Sequence, residues 1–441
     1  MHVDTLIKAK WIIPVEPHAR VYENHAIAIQ SGTIVDILPT DRAIVEFQAA
    51  QVEEMPSHAL IPGLINAHTH AAMSLLRGNA DDLPLMEWLE GHIWPLERRF
   101  AGEAFVRDGT DLALAEMIRG GVTCFNDMYF FPEITARQVI LSGMRAVVGM
   151  ILVDFPTNWA NGPDEYFSKG LALYDVLKSE PLVGAAFAPH APYTVSDEPL
   201  VRLRTIAEEL ECSIHMHLHE TAEEVRQGKA SHGMRPIKRL GQLDLLSPRF
   251  IAVHMTQLDD EEISYFEHFG GSIVHCPESN LKLASGFCPV AKLLDAGINV
   301  ALGTDGPASN NDLDVLGEMK TAALLAKGVA CDARAVPAAT ALRMATLNGA
   351  KALGLDSEIG SLEAGKSADI VALDLGDIET QPLFDPISDI VYAASRHQVT
   401  DVWVAGRRLL NKRELTTLDR DDITARAVAW RDRLNTNNNS V

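Results

Sequence analysis

The chain has 441 residues, 47% of them hydrophobic and 22% charged, with 60 acidic against 38 basic side chains and a formal net charge of -22 at pH 7. That is the balance of a folded protein with room for one large domain and a smaller one, and its charge argues against nucleic acids and anionic membranes, whose phosphates call for a basic patch. No run approaches the ~18 apolar residues of a membrane span, and Asp4, Lys8 and Lys10 interrupt what would otherwise be the apolar part of a leader.

Five scattered cysteines, none in a Cys-x-x-Cys pair, suggest neither a disulfide framework nor a cysteine metal site, and the cytoplasm is the expected compartment. Residues 6–13, 25–30 and 33–38 are short and strand-like, with a Ser31-Gly32 turn before the last. They are too few for a sheet of their own. At the far end, residues 370–375 and 401–405 alternate in the same way, with a turn signal at Gly406. The two ends together predict a small discontinuous β-sandwich domain, residues 1–59 and 364–441, that includes a C-terminal helix. A polar tail at 435–440 is expected to fray.

Residues 60–363 read differently. Eight strand-like runs, at 60–67, 121–126, 146–153, 182–188, 213–219, 250–254, 271–275 and 298–303, are separated in many places by amphipathic stretches such as 103–119, 199–210 and 312–327. Such alternation over about 300 residues predicts an α/β fold, a (β/α)8 TIM barrel carrying the catalytic site. An open doubly wound sheet is the rival, but its Gly-x-Gly-x-x-Gly fingerprint is missing.

Barrel enzymes keep their chemistry at the C-terminal ends of the strands, and titratable residues recur there: His68 and His70, His190, His217 with His219 and Glu220, His254, His275, and Asp305. His68 and His70, at i and i+2 on an extended segment, point to one side and suit one metal ion. A catalytic site needs three or four N/O ligands and an open position, and a histidine of the fifth strand and Asp305 would complete the set. By period two His215, His217 and His219 share one face, so spacing alone does not choose among them. His25, His232, His268 and His397 have no such company and read as surface or packing residues. Neither the His-Glu-x-x-His pattern of zinc proteases nor the Pro-Cys-x-x-Cys of the other zinc deaminases is present.

The stretches Pro62-Gly-Leu-Ile-Asn-Ala-His-Thr-His70, His217-Leu-His-Glu220, Val274-His-Cys-Pro-Glu-Ser-Asn280, Leu302-Gly-Thr-Asp-Gly306 and Glu363-Ala-Gly-Lys-Ser-Ala-Asp369 resemble the amidohydrolase superfamily, in its branch of nucleobase and nucleoside deaminases. The resemblance spans nearly the whole chain. It implies His217 as the fifth-strand ligand beside His68, His70 and Asp305, and Glu220 as a proton shuttle. The lysine that bridges two metals in binuclear members has no counterpart in residues 185–190, so one divalent ion is expected, zinc first and iron(II) second. The resemblance also puts Trp88 at the purine edge, Glu97 on the ribose hydroxyls and His190 at the purine's five-membered ring.

The expected reaction is hydrolytic deamination of a purine nucleoside at C6. A metal makes water acidic near pH 7, Asp305 takes its proton, Glu220 protonates the ring nitrogen, and His254 orients the nucleophile. The family's carboxylate-binding arginines are missing from residues 153–182, which favours 5-methylthioadenosine over S-adenosylhomocysteine and adenosine. Alternatives are an aminohydrolase or chlorohydrolase acting on guanine, a pterin or a triazine, and, from a different class, an inactive barrel serving binding or assembly. The resemblance further suggests a homo-oligomer, dimer or tetramer.

Overall fold

The computed structural model describes residues 1–438, and side chains through residue 435. The polar tail at 435–440 therefore extends outside the described residues. The amino-terminal strands β1 (His2–Ile12), β2 (Tyr22–Gln30), β3 (Thr33–Pro39) and β4 (Gln48–Pro62) lead into the barrel strands β5 (Leu64–Thr69), β6 (Val122–Asp127), β7 (Arg145–Leu152), β8 (Val183–Pro189), β9 (Ile214–Leu218), β10 (Phe250–His254), β11 (Ser272–His275) and β12 (Asn299–Leu302). Strands β13 (Ile370–Asp374), β14 (Val399–Val404), β15 (Arg407–Asn411) and β16 (Glu414–Leu415) follow.

Two eight-stranded sheets result. One runs β16-β15-β14-β13-β4-β1-β2-β3 and so draws its strands from both ends of the chain; the other holds β5 to β12 in sequence order, each pair parallel. In the mixed sheet, β4 joins the two ends by pairing with β1 on one side and β13 on the other. Ile7, Ile27, Ile34, Met55, Ile370 and Trp403 share one buried cluster there.

The parallel strands are buried on both faces, as a barrel requires. Along β10, Phe250 and Ala252 join the large apolar cluster that includes the surrounding helices, whereas Ile251 and Val253 join a smaller cluster with Ile65, Ala67, Val274 and Ala301 inside the barrel. The seam between β12 and β5 is closed by side chains and loop backbone: Asn66 Nδ2 donates to Thr304 Oγ1 at 2.8 Å, Thr304 N to Asn66 Oδ1 at 3.0 Å, and Asp305 N to His68 O at 3.1 Å. Gly303 is needed at this seam, since a Cβ there would stand 2.9 Å from His68 N and O.

Asp369, the last residue of the returning Glu363–Asp369 motif, ties the two sheets together. Its buried carboxylate meets Arg145 at the start of β7 at 3.2 Å, and its carbonyl accepts from Gly63 N at 2.9 Å. The carboxy-terminal helix Arg420–Asn438 packs on the barrel helix Glu103–Arg119, where Trp430 Nε1 donates to Asp108 Oδ2 at 2.8 Å and Arg426 pairs with Asp108 and Asp111 at 2.6 and 2.9 Å.

Candidate metal centre and substrate cavity

His68 and His70 at the end of β5, His217 on β9 and Asp305 after β12 meet at the mouth of the barrel, and one ligating atom from each lies within 4.8 Å of all the others. His68 Nε2 stands 3.2 Å from His217 Nε2 and 3.3 Å from Asp305 Oδ1, and His70 Nε2 stands 3.2 Å from the same oxygen. Lone pairs so crowded repel one another unless a proton or a cation lies among them. A tetrahedral ion with bonds of about 2.0–2.1 Å holds its ligand atoms roughly 3.3 Å apart, so the donor set matches a small divalent cation.

Hydrogen bonds behind the cluster orient it in the same sense. His70 Nδ1 lies 2.5 Å from Met128 O and His217 Nδ1 lies 2.6 Å from His190 O. Because a carbonyl only accepts, both Nδ1 atoms carry a proton and both Nε2 atoms face inward, each with a free lone pair whenever its ring is neutral. Ser279 and Ser309 each donate to Asp305 Oδ2 at 2.6 Å, leaving Oδ1 for the cluster. Burial pushes His68 down to about 3 and His217 well below the usual imidazole range, which keeps both neutral. At His70 burial acts in the same direction, but the Asp305 carboxylate outweighs it and raises the imidazole to about 9.

Spacing placed His215, His217 and His219 on one face, and the structure corrects this. Along β9, Met216 and Leu218 face the helices while His215 and His217 point into the barrel, His215 one layer deeper. At His219 the backbone turns left-handed, with φ of 52°, and the two-residue period ends. Its ring turns away, Nε2 accepting from Ile237 N at 3.1 Å. His254 and Asp305 also leave their strands with positive φ, 76° and 59°, a costly conformation that the surroundings must hold in place.

Above the cluster opens a cavity of about 680 Å³, and Glu220, His254, Trp88, Glu97 and His190 all line it. Glu220 leaves the β9 turn with its own N–H and that of His219 held by the Glu224 carboxylate, at 2.7 and 2.9 Å. Burial raises its carboxyl pKa, favouring the protonated acid. Burial also raises half-buried Glu97 to about 7 and lowers His190 to about 4. Trp88 is both wall and core, packed with Met73, Leu89 and Ile93. His275 is buried and is not among the cavity residues.

Sequence reasoning missed Tyr129, a buried residue that lines the cavity beside Glu97; its position just after β6 was the available signal. It also missed Asn280, whose Oδ1 lies 2.9 Å from His254 Nδ1, although Asn280 ends one of the motifs. Residues 153–182 contain no arginine, but Arg98 lines the cavity and is its one Lys or Arg among the described residues.

A barrel with three histidines and an aspartate gathered at its mouth, under a cavity with a protonatable glutamate, is the arrangement of a metal-dependent hydrolase. The chain belongs to the amidohydrolase family, whose model matches residues 59–409. It is 50% identical over 432 residues to the 5-methylthioadenosine/S-adenosylhomocysteine deaminase of Teredinibacter turnerae, covering 98% of each chain, and 51% identical over 427 residues to that of Saccharophagus degradans, covering 97% and 96%. Among solved structures it is similar to an adenosine deaminase from Xanthomonas campestris with bound zinc, with a TM-score of 0.98, 54% identity and 99% of each chain covered. The atrazine chlorohydrolase of Arthrobacter aurescens TC1 complexed with zinc gives a TM-score of 0.89 at 25% identity, covering 97% of this chain and 99% of that one. No helix among the described residues is long and apolar enough to cross a membrane.

Proposed function

We propose that the protein hydrolytically deaminates adenine nucleosides, 5-methylthioadenosine first and S-adenosylhomocysteine and adenosine after it. The observation that carries this reading is the inward-facing cluster of His68, His70, His217 and Asp305 at the floor of a cavity into which Glu220 and His254 also project. The names of relatives about half identical to this chain point to the same substrates. His68, His70, His217 and Asp305 would hold one divalent ion, zinc in preference to iron(II), in keeping with the zinc in the Xanthomonas campestris structure. Such an ion supplies Lewis acidity that makes water a nucleophile near neutral pH.

The remaining steps belong to the chain's own side chains. Glu220, whose carboxyl pKa burial raises, gives its proton to purine N1 and makes C6 electrophilic. Water adds to C6 and its proton passes to Asp305, while His254, 3.8 Å from Glu220 across the cavity, orients the attack. The C6–N6 bond then breaks as Asp305 returns the proton to the amino group, and the new hydroxyl gives its proton to Glu220 as the carbonyl forms. The 6-oxopurine nucleoside and ammonia are the products.

Trp88 would pack on the purine edge, His190 would meet the five-membered ring, and Glu97 would accept from both ribose hydroxyls. Leu85, Leu89, Ile93 and Phe155 supply apolar wall suited to a methylthio group. A homo-oligomer and a cytoplasmic location complete the reading, the latter in keeping with five free cysteines. The deciding experiment is to assay ammonia release and the inosine-type absorbance change with zinc-loaded protein on 5-methylthioadenosine, S-adenosylhomocysteine, adenosine and guanine. Turnover of the adenine nucleosides, abolished by chelation and restored by zinc, is expected; inertness towards all three would overturn the reading.

A further inference from the structure

His68 is the one histidine of the cluster whose outer nitrogen does not meet a main-chain carbonyl. Its Nδ1 lies 2.9 Å from Nε2 of His215, a fully buried imidazole whose own Nδ1 has no hydrogen-bond partner. A carbonyl can do nothing but accept, so His70 and His217 have their tautomers decided by the main chain. An imidazole can accept or donate, so the tautomer of His68 is decided jointly with that of His215.

We infer that His215 is a positioning residue for the metal centre: its Nε2 accepts the Nδ1 proton of His68 and so keeps the His68 Nε2 lone pair turned towards the ion. The inference rests on the reading of His68 as a ligand. Were His215 to donate instead, the His68 proton would sit on Nε2, 3.2 Å from His217 Nε2 and 3.3 Å from Asp305 Oδ1, where a ligand must be bare. Accepting requires the His215 proton on Nδ1, a buried N–H with no acceptor. Donating would leave the same Nδ1 orphaned as a bare acceptor, so the choice rests on the lone pair that a ligand at His68 needs. The relation is that of an outer group holding a metal ligand in register, whose loss typically lowers metal affinity ~10–100-fold.

The test compares zinc affinity by chelator competition in the wild type, His215→Gln and His215→Leu. Glutamine can place an oxygen acceptor near the His215 Nε2 position; leucine cannot. Expected is a ~10–100-fold loss of affinity for His215→Leu, near-wild-type affinity for His215→Gln, and a visible spectrum of the cobalt-substituted protein that changes only in the leucine variant. A folded His215→Leu with wild-type affinity, or equal losses in both variants, overturns the inference. Should the leucine variant not fold, ¹⁵N spectra of histidine-labelled, zinc-loaded wild type decide the matter. With His215 assigned by comparison with His215→Gln, a proton on Nδ1 and none on Nε2 supports the inference, and the reverse overturns it. A wild type that binds no zinc would be a different result, removing the metal reading itself.

Discussion

His254 Nδ1 lies 2.9 Å from Asn280 Oδ1, and His254 Nε2 lies 3.8 Å from Glu220 Oε2. The amide can only accept at Oδ1, so it places the His254 proton on Nδ1 and leaves the Nε2 lone pair facing the cavity. His254 is also held in a left-handed backbone conformation, which makes a single side-chain partner more consequential than at a relaxed position.

Replacing Asn280 by leucine removes that partner without adding charge. The expected result is a kcat lower by roughly 10–100-fold with KM within about threefold of wild type, as for loss of an orienting group. Asn280→Asp keeps an acceptor and should retain more activity. Steady-state kinetics alongside metal content separate this from loss of the metal centre.

Glu220 touches none of the proposed ligands by hydrogen bond, so Glu220→Gln should keep its metal and its fold. The amide has no proton to shuttle, and kcat should fall by about 10²–10⁴. Unchanged turnover in a variant with full metal content would remove Glu220 from the proton path.

Glu97 supplies a pH dependence whose sign can be worked out. Its carboxyl ionises near pH 7 in the folded chain against an ordinary value of 4.5, because burial disfavours the charge. Only the carboxylate can accept from both ribose hydroxyls, so KM should fall as pH rises through about 7, and Glu97→Gln should abolish that inflection. For stability the sign is reversed: the contribution is complete below pH 4.5, where Glu97 is protonated folded or unfolded, and is lost as pH rises through about 7. At pH 8 the substrate-free glutamine variant should therefore be more stable than wild type, by on the order of 1–2 kcal/mol once partial exposure is discounted. Denaturant unfolding at pH 4 and pH 8 checks this.

Arg98 bears on the choice between substrates. It is the one arginine or lysine in the cavity wall among the described residues, and a guanidinium there suits the amino-acid carboxylate of S-adenosylhomocysteine. Arg98→Ala should lower kcat/KM for S-adenosylhomocysteine by about 10-fold or more and leave 5-methylthioadenosine within about twofold. Equal losses on both would show that Arg98 holds the wall rather than a carboxylate.

The barrel was legible because its strands are short, β-branched and regularly interrupted, and because titratable residues recur at their C-terminal ends. His68 and His70 could be paired from period two alone, since β5 stays extended through Thr69. The same rule misled at β9, where it set His219 beside His217, because a period is a property of extended backbone and His219 has left it.

What the sequence determined by itself was the architecture and the kind of chemistry, through local periodicity and residue types that burial makes expensive without a purpose. Tertiary structure alone decided which atoms meet: Asn280 behind His254, Arg98 in the wall, and His215 beneath His68, 147 residues away along the chain. Those contacts depend on the register between neighbouring strands and on three left-handed turns at their ends, and neither leaves a mark in local sequence. The histidine pair that ends β5 can be read from its letters, but the imidazole that meets His68 Nδ1 lies on the strand across the barrel.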